Sequence, residues 1–97
     1  MTRDEILDFL KAHRDELRQT FGVQEIALFG SYAREIATSE SDIDIAVEIV
    51  DDMKTLTNFF GLKRYLETNL GKSIDLGIGS AMKPIVKKMA QQDMLRV

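Results

Sequence analysis

Apolar positions along the chain recur with two different periods, and the changes of period divide it into elements. Thr2 and Glu5 stand three apart in a capping-box arrangement, and Leu7, Leu10, Leu17 and Phe21 follow at roughly helical spacing. This predicts one helix from about Thr2 to Thr20, stopped near Gly22. Glu25-Ile26-Ala27-Leu28-Phe29 is a short apolar run ending at Gly30, which reads as a buried strand. Ser31 to Ala37 reads as a short helix with Gly30-Ser31 at its N-terminal end, and 38–41 as a loop.

From Asp42 to Val50 the period becomes two. Ile43, Ile45, Val47 and Ile49 alternate with Asp42, Asp44, Ala46 and Glu48, the pattern of a strand. Asp51-Asp52 marks a turn. Thr55 to about Leu70 reads as a second long helix with Leu56, Phe59, Phe60, Leu66 and Leu70 as its apolar stripe and Gly71 as its C-cap glycine. Ser73 to Ile78 is a third strand, with Ile74, Leu76 and Ile78 on one face and Asp75 on the other. The last helix starts near Pro84, carrying Ile85, Val86 and Met89 inward and Lys83, Lys87 and Lys88 outward. The tail, 94–97, is either a fourth short strand or a segment docked elsewhere. The sum is an α+β chain (α/β mixed), with a small mixed β-sheet and helices packed on it, expected to form one domain over 1–97.

Composition narrows the function. A net charge of −3 on 97 residues gives no basic field for nucleic acid, so no direct nucleic-acid binding is expected. Any triphosphate must find its positive charge locally. Without cysteine there is neither a disulfide nor a thiolate zinc site. The charged N-terminus lacks a signal peptide's apolar core, and no stretch approaches the ~20 apolar residues of a membrane span. The expectation is a soluble, cytoplasmic protein with no membrane partner.

The chemistry concentrates at Asp42 and Asp44. Two apart in a strand, they point to one face, with Cα atoms roughly 6.5–7 Å apart. Carboxylates so placed can converge on one cation, or share two cations about 3.5–4 Å apart. Without a cation their repulsion raises one pKa. Gly30-Ser31 supplies a complementary part: glycine admits close approach, and a helix start offers unpaired N–H groups and partial positive charge to phosphate. Asp75, on a separate strand, completes three carboxylates on one face if the strands are neighbours. It can then bind a second metal or accept the proton of an attacking hydroxyl. Singly, each feature has a plain reading: a wet strand face, a turn, a solvent-facing acid.

Together, these residues resemble a known family. Gly30-Ser31, ten intervening residues, then Asp42-Ile43-Asp44 match the signature of the DNA polymerase β-like nucleotidyltransferase superfamily. The run from Leu28 to Arg34 and Ser41-Asp42-Ile43-Asp44-Ile45 resemble its minimal nucleotidyltransferase (MNT) branch, and Ser73-Ile74-Asp75-Leu76 resembles that family's third acidic motif. The resemblance implies a palm-like mixed-sheet fold and two-metal chemistry with Mg²⁺. It implies Asp42 and Asp44 as metal ligands, Asp75 completing the metal site or acting as base, and Gly30 and Ser31 holding the β- and γ-phosphates of ATP. One departure stands out: many relatives carry glycine after Ala-Arg, where this chain has Glu35.

Small members of the family resemble the antitoxin of HEPN/MNT toxin–antitoxin pairs, in which the transferase adds AMP to a tyrosine of the HEPN ribonuclease. The resemblance therefore implies a HEPN-type toxin as partner and acceptor. A different class of reading is a non-catalytic module that neutralises its partner by complex formation. A third is transfer to a small molecule, which usually needs an extra helical domain.

Other residues carry weaker expectations. His13, the sole histidine, reads as a surface residue of the first helix. Lys83, Lys87 and Lys88 form a basic edge, either a plain solvated face or a contact for triphosphate or an acidic partner. Arg34 is placed to reach a phosphate or to pair with Glu35 or Glu40, and Tyr32 to stack on a base.

Overall fold

In the computed structural model, which describes residues 1–97 apart from the side chain of Met89, Thr2 caps the first helix. Its hydroxyl accepts from the Glu5 N–H at 3.2 Å, and the Glu5 carboxylate accepts from the Thr2 N–H at 2.8 Å. The expected single helix is in fact two, α1 (Arg3–Ala12) and α2 (Arg14–Phe21). The chain turns at His13, whose ring stacks on Phe9 at 4.0 Å between centroids, with Nδ1 2.8 Å from the Phe9 carbonyl oxygen. His13 is thus a half-buried hinge and not a plain surface residue. No glycine or proline marks the break, so the apolar spacing ran straight through it. Gly22, at φ +71°, closes α2.

The strands are β1 (Val23–Phe29), β2 (Ile43–Ile49), β3 (Ile74–Ile78) and β4 (Leu95–Arg96), ordered β3-β2-β1-β4 in one sheet. β1 pairs antiparallel with β2 and β4, and β2 pairs parallel with β3. The tail is therefore a fourth strand. The sheet is mixed, as the element order led one to expect.

Register then assigns each face. Ile26 faces Val47 and Leu28 faces Ile45 across β1 and β2, while Ile43 and Ile45 face Ile74 and Leu76 across β2 and β3. Paired residues share a face, so this side is apolar throughout. It is covered by Ile6 and Leu10 of α1, Leu17 of α2, and Leu62, Leu66 and Leu70 of α4 (Leu56–Leu70). At about 25 cal/mol per Å² of apolar surface, each such side chain contributes roughly 1.5–3 kcal/mol on burial. Tyr32 and Ala33 of α3 (Gly30–Ala33) join the same core.

The opposite side carries three rows: Glu25–Glu48, the small residues Ala27–Ala46–Gly77, and Phe29–Asp44–Asp75. The last helix, α5 (Pro84–Asp93), lies over the small row. A Cβ built on Gly77 would sit 3.2 Å from Met82 Cε, so glycine there admits the segment leading into α5. A cleft of about 200 Å³ remains between the helix and Ala27 and Ala46, bordered by Lys87, Gln91 and Met94. Glu48 fixes the approach to α5, accepting from the Ser80 N–H at 2.6 Å and the Ser80 hydroxyl at 3.0 Å.

Several expectations are corrected. Ile85 and Val86 face outward, 70% and 45% exposed, because α5 sits on a floor of small residues and buries Ala90 instead. The side chain of Met89, also expected inward, lies outside the described residues. On α4, Leu56 and Phe60 are exposed, and the buried stripe is Leu62, Leu66 and Leu70. The helix expected over 31–37 is only the four residues of α3, ended by Glu35 at φ +60°.

Candidate functional site

The site is built on the row Phe29–Asp44–Asp75. Asp44 is the second residue of β2, whose buried Ile43, Ile45 and Val47 anchor it to the core. Asp44 pairs with Phe29 on one side and Asp75 on the other, so β1, β2 and β3 bring Gly30, Asp44 and Asp75 side by side. The parallel pairing of β2 with β3 does what no spacing in the sequence states, because thirty residues separate the two acids.

Gly30 is locked into this arrangement. Its φ is +73°, a region glycine enters without penalty, and a Cβ there would lie 2.9 Å from Asp44 Cγ. The Asp44 carboxylate therefore lies against the Gly30 backbone. No side chain caps the start of α3, leaving its first N–H groups open to an outside acceptor. With four residues α3 has little dipole, so what it offers phosphate is its amides and the Ser31 hydroxyl. Both Gly30 and Ser31 are half-buried.

Electrostatics mark Asp44 as the strained member. Its pKa is raised from 3.8 to about 6, first by burial, then by the charge of Asp75 and a hydrogen bond with it, and then by Asp42. Two carboxylates this close do not both ionise cheaply, which favours a cation that would bind the ionised form. Asp75 is exposed. Asp42 is exposed too, and stands just outside β2 rather than within it. Among the described residues, no three His, Cys, Asp or Glu side chains already converge on one metal position. Asp44 and Asp75 are brought together, and Asp42 acts on them only at longer range.

The donor set nonetheless fits a hard divalent cation. It is carboxylate oxygen, it is short of positive charge, and Gly30 keeps the space beside Asp44 free of a side chain. Asp42 and Asp75 are exposed to solvent, while Gly30, Ser31 and Asp44 are half-buried.

The neighbouring residues behave otherwise than expected. Tyr32 is 5% exposed and packs into the core, with the Lys72 ammonium 5.7 Å from its ring centroid, so it is not free to stack on a base. Arg34 pairs with Asp93 at 3.6 Å, tying α3 to α5, rather than with Glu35 or Glu40. Glu35 points its carboxylate at Arg3, 2.9 Å away. Sequence reasoning missed Glu48, whose clasp on Ser80 sets α5 across the site face. Its only signal was an acid on the same strand face as Asp44.

The nucleotidyltransferase domain family matches residues 10–97. A protein adenylyltransferase, MntA, of Thermococcus cleftensis is 40% identical over 97 residues, covering 100% of this chain and 97% of that protein. Among solved structures, one provisionally described as a minimal nucleotidyltransferase superposes with a TM-score of 0.84. It is 24% identical and covers 100% of this chain and 97% of its own. A chain from the complex of a tri-AMPylated Shewanella oneidensis HEPN toxin with an MNT antitoxin superposes with a TM-score of 0.67. It is 24% identical, with 99% of this chain and 71% of that chain covered. At this identity the two structures speak for the fold, a small mixed sheet with helices.

Proposed function

The chain belongs to the nucleotidyltransferase domain family, and on that premise we propose that it transfers AMP from ATP to a hydroxyl of a partner protein, acting as the antitoxin of a HEPN-type toxin. The acceptor we assign is a tyrosine. The observation that carries this reading is the Asp44 carboxylate, placed between the Gly30 backbone and Asp75, its pKa pushed up to about 6.

Asp42, Asp44 and Asp75 would hold divalent metal, Mg²⁺ by the resemblance. When bound it supplies positive charge to the triphosphate and to the developing negative charge at phosphorus. The chain's own residues do the rest. The open amides at Gly30 and Ser31, with the Ser31 hydroxyl, take the β- and γ-phosphates and orient the leaving group. The exposed Asp75 carboxylate accepts the acceptor's proton. The hydroxyl oxygen forms a bond to the α-phosphorus, the bond from α-phosphorus to the bridging oxygen breaks, and pyrophosphate leaves in line. The exposure of Asp75 to solvent supports a protein acceptor. So does the name of the Thermococcus relative, and so does the AMP carried by the HEPN toxin of the Shewanella complex.

The test is intact-mass spectrometry of the HEPN-family protein of the same genome after incubation with this chain, ATP and Mg²⁺. A gain of one or more AMP masses supports the proposal. A stable complex with no mass gain favours neutralisation by masking.

A further inference from the structure

The sheet ends differently at its two edges. β4 is two residues long and carries Arg96, a short charged edge of the kind that resists further pairing. β3, at the other edge, runs for five residues, Ile74-Asp75-Leu76-Gly77-Ile78, with neither proline nor lysine. Its parallel ladder with β2 starts at the Ile43 N–H, which donates to the Ser73 carbonyl at 3.0 Å. In such a ladder alternate residues turn their N–H and C=O toward the neighbouring strand. Asp75 and Gly77 therefore bond to β2, and the main-chain groups of Ile74, Leu76 and Ile78 point outward. The Glu67 carboxylate accepts from the Ile74 N–H at 3.1 Å. Among the described residues, no group meets the Ile74 C=O, the N–H and C=O of Leu76 or the Ile78 N–H.

The helix above this edge has an apolar outer flank. On α4, Leu56, Phe60 and Glu67 are spaced four and seven apart and share one stripe. Glu67 reaches Ile74, so the stripe looks over the outer edge of β3. The other flank of α4 faces α2: Asn58 donates to the Phe21 carbonyl at 2.8 Å, and the Tyr65 and Phe21 rings lie 5.5 Å apart. Leu56 and Phe60 are 75% and 51% exposed. We infer that the chain forms a twofold dimer in which β3 pairs antiparallel with β3 of a second copy, Leu76 opposite Leu76. An unmet main-chain edge takes an extended main chain, and this one is self-complementary about Leu76. The two Leu76 residues exchange N–H···O=C bonds, and each Ile78 N–H donates to the Ile74 C=O of the other copy. Those are the groups left unmet. Ile74 then lies opposite Ile78, extending the apolar face, and Asp75 lies opposite Gly77, so no acid meets an acid. The twofold axis is normal to the sheet, so both α4 helices lie on one side with their Leu56–Phe60 stripes toward each other. A five-residue edge alone is a small contact, and the α4 stripes supply the apolar burial a stable dimer needs. The inference rests on the fold and not on the transfer reading.

The experiment measures mass in solution by light scattering across the micromolar range, for the wild type and three variants checked by circular dichroism. Ile78→Pro removes an outward N–H that the ladder with β2 does not use. Leu56→Glu/Phe60→Glu puts charge on the α4 stripe, where both side chains are already exposed, and so keeps the test open should the proline variant fail to fold. Ile85→Ser/Val86→Ser, which removes exposed apolar surface on α5, is the control. The wild type and the control are expected to be dimers, and both edge variants to dissociate at least on the order of tenfold more readily. Hydrogen exchange reads the pairing itself: the Leu76 N–H should exchange slowly in the wild-type dimer and fast in the Leu56→Glu/Phe60→Glu protein. A wild type that stays monomeric overturns the inference, and slow exchange at Leu76 only with the HEPN-family protein present would then give the edge to that protein. A dimer that survives both edge variants overturns it too, by placing the contact elsewhere. Fast exchange at Leu76 in a wild-type dimer overturns the strand pairing.

Discussion

The carboxylate of Asp44 rests against the backbone of Gly30, and the space a side chain would need at that glycine is already occupied by it: a Cβ there would stand 2.9 Å from Asp44 Cγ. The two residues are fourteen apart in the chain, and the antiparallel pairing of Phe29 with Asp44 brings them together. The glycine and the acid are one structural unit.

Replacing Gly30 therefore does more than strain the backbone. Gly71 serves as the control, at φ +68° with nothing within 4 Å of a built Cβ. Gly71→Ala is expected to cost about 1 kcal/mol, the ordinary cost of a left-handed alanine. Gly30→Ala adds the displacement of Asp44, and should cost clearly more and remove the ATP-induced melting shift. Urea denaturation of the two variants checks the difference.

Asp44 also makes stability depend on pH in a defined direction. Its folded pKa, about 6, lies above its ordinary 3.8, so between these values the folded state binds more protons than the unfolded. The penalty is absent below pH 4, builds as pH rises from 4 to 6, and is complete above 6. Discounted for its partial exposure, the penalty is on the order of 1 kcal/mol. Metal-free Asp44→Asn should therefore be more stable than wild type at pH 8, with the advantage shrinking toward pH 4. Denaturation midpoints of both proteins across this range test it. An advantage independent of pH would count against the raised pKa of Asp44.

Among the described residues, Glu35 is the one non-glycine at positive φ, +60°. It closes α3 at the position where the resemblance led one to expect glycine. Glycine at this position relieves roughly 1 kcal/mol of left-handed strain. The exposed Arg3 ion pair it gives up is worth about 0–1 kcal/mol. Glu35→Gly should thus be neutral to mildly stabilising, and Glu35→Ala less stable than Glu35→Gly by about 1 kcal/mol. Chemical denaturation of the pair decides this.

Binding of ATP with Mg²⁺ to the folded state alone raises its stability by mass action. At millimolar ligand the wild type should melt at a higher temperature, and the Asp42→Asn/Asp44→Asn protein should not respond. An equal shift in both would separate nucleotide binding from these acids.

What the sequence disclosed depended on local period. Alternation over Ile43–Ile49 fixed the strand and its faces because one side is fully buried. The pairing of Asp44 with Asp75 is non-local and stayed conditional until the parallel register was seen. The break at His13 carried no glycine or proline, so α1 and α2 looked like one helix. Ile85 and Val86 were placed inward by apolarity alone. The small row Ala27–Ala46–Gly77 lets α5 sit on the sheet through Ala90, and this appears in no single segment's pattern. Tyr32, adjacent to the Gly-Ser pair, looked accessible, yet α3 turns it into the core.

The most direct measurement of the central claim follows AMP from α-labelled ATP onto the HEPN-family protein, with wild-type chain and with Asp42→Asn/Asp44→Asn, both shown folded by circular dichroism. The account predicts label on the acceptor with wild type and none with the double variant. Full labelling by the variant would contradict it and move the chemistry away from these aspartates.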